Sequence, residues 1–342
     1  MNNAQQSGSA SERGLTKRRG CGCGAGLLLA FGAAIGAPAN AHETDSNDES
    51  LGESSESSKG HGSISIGYQN TLVNGRLDDA GSSVAIGSVR IQSIYLGLDY
   101  FFADRWSIHA GLPFIESRYR GMRPHCPTAM PPQCQPPQPV LSRPHPESQF
   151  LDDGDFHGTW QDWTLGVSYY TNIGNYYITP SITALIPSHD YTFFAQAAVG
   201  QNLNKLAVGI ALAHQFDFTE IYYSVGYAYV FAERTLGVSI NHSRIDLELG
   251  YFLSPRLSVR LFSLSKFGGG LKQSELMTDN RTNEVWYHHD QISSHEYANL
   301  GLGVDYSLGD KYTLSASVQT LVWGRNVYNF KYSADLRLSR EF

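Results

Sequence analysis

From Gly62 onward the chain alternates apolar and polar residues with a period of two. In "WTLGVSYY", Trp163, Leu165, Val167 and Tyr169 share one parity, and Asp162, Thr164, Gly166 and Ser168 the other. In "RIDLELGYFL", Ile245, Leu247, Leu249 and Tyr251 oppose Arg244, Asp246 and Glu248. "NLGLGVDYSL" and "YTLSASVQT" repeat the pattern. Successive side chains of an extended strand point to opposite faces, so each segment predicts a strand with one apolar and one polar face. No segment after residue 41 approaches the roughly 18 continuous apolar residues of a helical membrane span. The alternation predicts twelve strands, near 62–72, 86–102, 106–119, 159–171, 176–187, 203–216, 220–232, 239–253, 257–266, 297–308, 311–323 and 327–342.

The connections sort by length. Tight turns are expected at "ADR" (103–105), "NIGN" (172–175), "DFT" (217–219), "SPR" (254–256) and "GD" (309–310). Between them fall longer links at 73–85, 120–158, 188–202, 233–238 and 267–296, with a short last one at "GRN". Short turns at one end and long loops at the other is the layout of an outer-membrane barrel, whereas a soluble β-sandwich has no reason to sort its links this way. The predicted fold class is all-β, a transmembrane antiparallel up-and-down barrel of about twelve strands. A bilayer offers no hydrogen bonds to backbone, so a sheet crosses it only when closed. Closure also accounts for the final alternating run, "SADLRLSREF": the last strand is expected to pair with the first rather than remain an edge.

The remaining chain sets the context. Residues 1–41 resemble an export signal, with a basic "TKRRG", an apolar "GAGLLLAFGAAIGAP" and the small-x-small site Ala39-Asn40-Ala41. Residues 42–61 form an acidic, Ser/Gly-rich leader expected to be disordered, and 62–342 the barrel. The whole chain has 25 Lys+Arg against 32 Asp+Glu, and without residues 1–41 the balance is 21 against 31. That excess of acid excludes a nucleic-acid partner, which needs a basic surface. The 20 Tyr residues suit strands and lipid–water boundaries. Loss of the signal leaves only Cys126 and Cys134, both in one proline-rich loop, and an oxidising compartment favours a disulfide between them.

With the polar parity inward, the charged lumen set is Asp99, Asp162, Arg244, Asp246, Glu248, Arg260, Asp305, Lys331, Asp335 and Arg337. Two readings stay open: a lining that selects solutes, or an ion-pair network that partly fills the barrel. Small inward residues such as Gly209, Ala211, Ala213 and Ser224, with Tyr177, suit a small, weakly polar solute. Three loop clusters carry possible chemistry. "FLDDGDFHGTWQD" lacks the D-x-D-x-D ladder of a calcium loop. Adjacent His189 and Asp190 point in different directions in an extended chain. "VWYHHDQISSHE" is the best metal-like group, on a long loop where solvated polarity is the commoner explanation. No metal and no cofactor is expected. His242 and Ser243 are neighbours and face opposite sides of a strand, which precludes a nucleophile–base pair. No catalytic motif occurs in the mature chain, so an enzyme is not expected, with an outer-membrane lipid-modifying enzyme the least favoured alternative.

"YLGLDYFFADRWSIHAGLPFI" and "GTWQDWTLGVSYYTNIGNYYITPSITALIPS" resemble the outer-membrane barrels of the meta-pathway phenol-degradation, transporter-like family. The match covers residues 90–190, and the rest follows by strand rhythm. The resemblance implies passage of small, often aromatic, molecules across the outer membrane of a Gram-negative-type cell. Phe342, ending an alternating strand, resembles the signal such barrels present to their assembly machinery. The expected partners are outer-membrane lipid, that machinery and a small solute. The reading is therefore a passive channel or uptake barrel. Its alternative is a filled barrel that acts through surface loops in adhesion or envelope assembly.

Overall fold

The computed structural model describes residues 58–121, 151–276 and 284–342, together with a paired dipeptide strand at Cys23–Gly24 and Pro38–Ala39. Apart from those dipeptides, the expected signal segment lies outside the described residues. So do most of the acidic leader and the loop bearing Cys126 and Cys134.

The strands are β1 (Gly62–Leu77), β2 (Ser83–Ala103), β3 (Trp106–Arg120), β4 (His157–Trp160), β5 (Asp162–Tyr169), β6 (Thr171–Ile173) and β7 (Tyr176–Pro187). They continue with β8 (Lys205–Gln215), β9 (Ile221–Ala232), β10 (His242–Ser254), β11 (Leu257–Phe267), β12 (Glu296–Leu308), β13 (Tyr312–Arg325) and β14 (Val327–Glu341). β4, β5 and β6 are one wall strand interrupted at Gln161 and Tyr170, so the fourteen described segments make twelve staves. Three one-turn helices lie in one connection: α1 (Gln273–Leu276), α2 (Glu284–Tyr287) and α3 (His289–Ile292).

Every stave pairs antiparallel with its chain neighbour, and β14 pairs with β1 from Glu341↔Ser63 to Val327↔Leu77. At the seam Gly62 N–H donates to the Phe342 carbonyl at 3.0 Å, and Phe342 N–H to the Gly62 carbonyl at 2.9 Å. The terminal strand is therefore no edge. A closed ladder leaves no row of unpaired backbone groups facing hydrocarbon.

The alternation sets the two surfaces. Leu249 is 50% exposed on the outer face, while Asp305 is 1% exposed on the inner one. Ile64, Ile94, Leu165, Ile182, Ile210, Leu302 and Leu336 continue the outer apolar belt. Aromatic residues flank it at both ends. Trp106 packs on Tyr169 at 4.8 Å near the short turns, and Phe114 on Trp160 at 5.5 Å near the long loops. Rings of this kind sit at lipid–water boundaries. Arg340 breaks the outer apolar parity of β14, and its guanidinium lies 6.0 Å from the Tyr312 ring centroid, within that boundary.

One stretch departs from the expected parity. Register shifts in β14 at Tyr328/Phe330 and Phe330/Tyr332 turn Phe330 inward, where it is buried, and leave Lys331 exposed. Each bulge inserts a residue and flips the faces beyond it. Lys331 thus does not belong to the inner charged set, and Phe330 belongs to an inner apolar cluster.

Candidate functional site

The lumen has two levels. At the short-turn end it is polar. Arg260 lies on β11, with its Nε 3.0 Å from Asp305 on β12 and its Nη1 3.2 Å from Glu248 on β10. Higher on the wall, between this level and the long-loop end, Arg244 and Asp246, two residues apart on β10, pair at 2.8 Å. The Tyr95 hydroxyl donates to Asp335 at 2.9 Å, and that of Tyr222 to Glu248 at 3.1 Å. Asp99 and Arg337 share the inner parity of β2 and β14. Asp162 is inward on β5 but higher, hydrogen-bonded by Tyr191. Of the ten charged positions expected inside, nine have inner parity; Arg260 bridges adjacent staves to Glu248 and Asp305, while Arg244 and Asp246 pair within one stave.

The largest inner side chains at this level do not stand into the lumen. Tyr95 is the cross-strand partner of Gly67, Tyr222 of Gly250, Phe262 of Gly301, Arg260 of Gly303 and His109 of Gly166. A methyl group on Gly67 would lie 2.0 Å from the Tyr95 Cζ, and one on Gly250 2.0 Å from the Tyr222 Cζ. The corresponding nearest distances are 2.3 Å at Gly301, 2.9 Å at Gly303 and 2.2 Å at Gly166. Each large side chain therefore lies flat on the wall over a glycine. Lining the same wall, both polar side-chain atoms of Asn299 and of Gln319, and Asp305 Oδ1, have no hydrogen-bond partner among the described residues. Buried amides are ordinarily satisfied, and water or a polar solute in a lumen is one way.

At the long-loop end the lumen is apolar and filled. The link between β7 and β8 turns inward from Tyr191 to Gln201, with Tyr191, Phe193, Phe194, Ala197 and Val199 all buried. Tyr191, Ala197 and Val199 pack with wall residues Val73, Val89, Ile91, Ile115, Leu264, Tyr297 and Phe330. Polar anchors hold this inserted loop. Asp152 accepts Gln196 N–H at 3.1 Å and Ala197 N–H at 2.9 Å. Tyr328 donates to the Gln196 side chain at 2.7 Å, and Gln161 to the Val199 carbonyl at 2.5 Å. Burial pushes the Asp152 carboxyl up to about 6, against the pull of its two backbone donors. Burial, reinforced by the Asp162 carboxylate, holds the Tyr191 phenol far above its usual range.

This insertion is not visible in the alternation. Its signal is "FFAQAAVG", an apolar run without period two inside a predicted loop.

The loop clusters contribute packing and anchoring. His288 stacks on Phe193 at 5.3 Å, His289 meets Phe194 edge-on at 5.6 Å, and Gln291 donates to the Gln201 carbonyl at 2.7 Å. His295 is driven well below its usual range by burial and by Lys266 and other cations. Asp152 anchors the inserted loop, Asp153 pairs with His157 at 2.8 Å, and Asp162 faces the lumen, so the three carboxylates diverge. His189 bonds Ser188 and Thr159 while Asp190 bonds Asn202, so that dyad does not form. Among the described residues no group of three His, Cys, Asp or Glu converges as metal ligands. His242 is buried inside, bonded to the Ile240 carbonyl, and Ser243 meets the Tyr227 hydroxyl at 3.1 Å.

No protein-family model matches the chain, and no curated protein matches it. Among solved structures it is similar to an outer membrane channel from Pseudomonas putida F1. The two are 15% identical, the TM-score is 0.61, and the match covers 88% of this chain and 100% of that one. The NanC porin aligns over 82% of this chain and 98% of its own at 10% identity, with a TM-score of 0.43. The KdgM porin, in complex with disordered oligogalacturonate, aligns over 81% and 99% at 8% identity and a TM-score of 0.41. Seam closure, the outer apolar belt and the first of these likenesses agree: the chain has the fold of a twelve-stranded outer-membrane β-barrel.

Proposed function

We propose that this barrel is a passive channel for small solutes in the outer membrane of a Gram-negative-type cell. The observation that carries the reading is the set of glycine-sheltered side chains. Five large inner side chains, Tyr95, His109, Tyr222, Arg260 and Phe262, each lie over a cross-strand glycine instead of filling the centre. A barrel stabilised by a packed interior has no use for that pairing, whereas a conduit keeps its cross-section by it. In this reading the paired charges of β10, β11 and β12 tune which solutes pass. The inserted 188–204 loop is the constriction. The meta-pathway resemblance makes small aromatic molecules the solute class to try first. Export by residues 1–41, assembly through Phe342 and a Cys126–Cys134 disulfide belong to the same proposal.

A second reading has one observation in its favour. The apolar packing of Tyr191, Ala197 and Val199 against six staves closes the loop end. A barrel permanently closed there would work through its outer loops, in adhesion or envelope assembly. Planar-bilayer recording of the folded full chain tests both. Stable single-channel steps are expected of a conduit. A silent bilayer, from protein shown to be folded and inserted, would overturn it and leave the closed barrel.

A further inference from the structure

Between the two levels the inner wall carries a group of cations. Arg244 on β10 and Lys266 on β11 are direct cross-strand partners. His242 precedes Arg244 by one inward position, and Lys205 is the first residue of β8, two staves away. Staves are about 4.8 Å apart, so these side chains, several ångströms long, converge on one patch of lumen. All four residues are more than nine-tenths buried.

Their partners differ. Arg244 holds Asp246 at 2.8 Å, and the Lys205 ammonium donates to Gln201 Oε1 of the inserted loop at 3.0 Å. The Lys266 ammonium has neither a hydrogen bond nor an ion pair among the described residues. The charged groups within its electrostatic reach are themselves cationic or basic: Lys205, His242 and His295. An isolated buried ammonium is costly unless something negative meets it. The walls beside it are apolar. Leu264 is the neighbouring inward residue of β11, Tyr297 is the cross-strand partner of Lys266 on β12, and Val199 of the inserted loop belongs to the same buried apolar cluster.

We propose that Lys266, flanked by Arg244 and Lys205, binds the carboxylate of a small organic anion inside the lumen, with the anion's apolar body against Leu264 and Tyr297. The charge assigns the carboxylate end, and the cluster around Val199 assigns the apolar end. A neutral molecule of the same shape leaves the ammonium unpaired and is rejected, because the site gains nothing for that buried charge. The inference rests on the channel reading only for the route by which the anion arrives.

Calorimetry on the folded full chain in detergent tests the site, with benzoate as probe and benzamide as its neutral counterpart. Benzoate is expected to bind and benzamide not to. Lys266→Met should weaken benzoate about tenfold or more, the value of a lost charge-assisted contact. Lys266→Arg should retain binding, and covers the case in which the Met variant fails to fold. Absence of benzoate binding, equal binding of benzamide, or a folded Lys266→Met that binds like the parent would each overturn the proposal. Bilayer recording separates the two proposals: a barrel that binds benzoate and passes no current keeps the site and loses the channel. One that conducts and never binds benzoate keeps the channel and loses the site.

Discussion

The two ends of the lumen are built from the same staves and solve opposite problems. At the short-turn end, β10, β11 and β12 contribute Glu248, Arg260 and Asp305, and the large side chains lie over glycines. At the long-loop end, the same β11 and β12 contribute Leu264 and Tyr297 to an apolar cluster that includes Val199 of an inserted loop. The first arrangement leaves a polar centre, and the second fills it. Inner positions of a barrel are thus not uniformly polar. Their chemistry follows height, with ion pairs and hydrogen-bonded polar side chains at one level and the chain's own loop at the other.

The difference is sharpened most by removing the central charge of the polar level. Arg260→Ala leaves Asp305 and Glu248 buried without their common partner. The expected loss is about 3–5 kcal/mol of barrel stability in urea unfolding. A loss under about 1 kcal/mol would mean that the pair is well hydrated, and that this level is wetter than the geometry implies.

Glycine shelter is tested next. In Gly250→Ala the new methyl would stand 2.0 Å from the Tyr222 Cζ, so the ring must leave the wall. About 1–3 kcal/mol of destabilisation is expected from the overpacking, with reduced single-channel conductance as the ring enters the lumen. Unchanged conductance with the ring displaced would remove the chief support for an open lower lumen.

The filled level is loosened at its anchor. Asp152→Ala strips the acceptor from two backbone N–H groups, at Gln196 and Ala197, for about 1–3 kcal/mol of loop docking. Protease access to the 188–204 loop, or labelling of a cysteine introduced there, reads the change. The same carboxyl predicts a pH dependence. Its folded pKa of about 6 lies above the ordinary 3.8, so the folded chain holds this proton more tightly than the unfolded chain. Its contribution to docking is then lost as pH rises through the window from about 4 to about 6. Asp152→Asn should flatten that step, and a step that persists in the variant assigns it to another group.

The smallest effect belongs to Tyr328→Phe. It deletes one hydroxyl donated to Gln196 at 2.7 Å and keeps the ring. About 1 kcal/mol of loop docking is expected, visible as slightly faster hydrogen exchange over 191–201 and no change in the polar level.

Much of this was legible in the alternation, because a strand has only two faces. Parity alone assigns Leu249 outward and Asp246 inward, and it makes an interior of Asp305, Arg260 and Glu248 unavoidable once the sheet closes. Closure of the predicted strands makes the first and last of them partners, as the bonds between Gly62 and Phe342 bear out. Composition contributes the aromatic belts. Parity fails where the backbone inserts a residue. The β14 register shifts carry Phe330 inside and Lys331 out, and a bulge leaves no mark in an apolar–polar pattern.

What the sequence determined by itself is therefore each residue's side of the wall, since that depends only on local backbone geometry. Which inner residues meet across the lumen was decided by closure and by register. Arg260 reaches Asp305, 45 residues away, and Tyr95 reaches Asp335, 240 residues away. The tertiary structure alone placed "FFAQAAVG" inside the barrel. An apolar loop has no preferred face until a ring of inward Val, Ile, Tyr and Phe side chains offers it a place away from water.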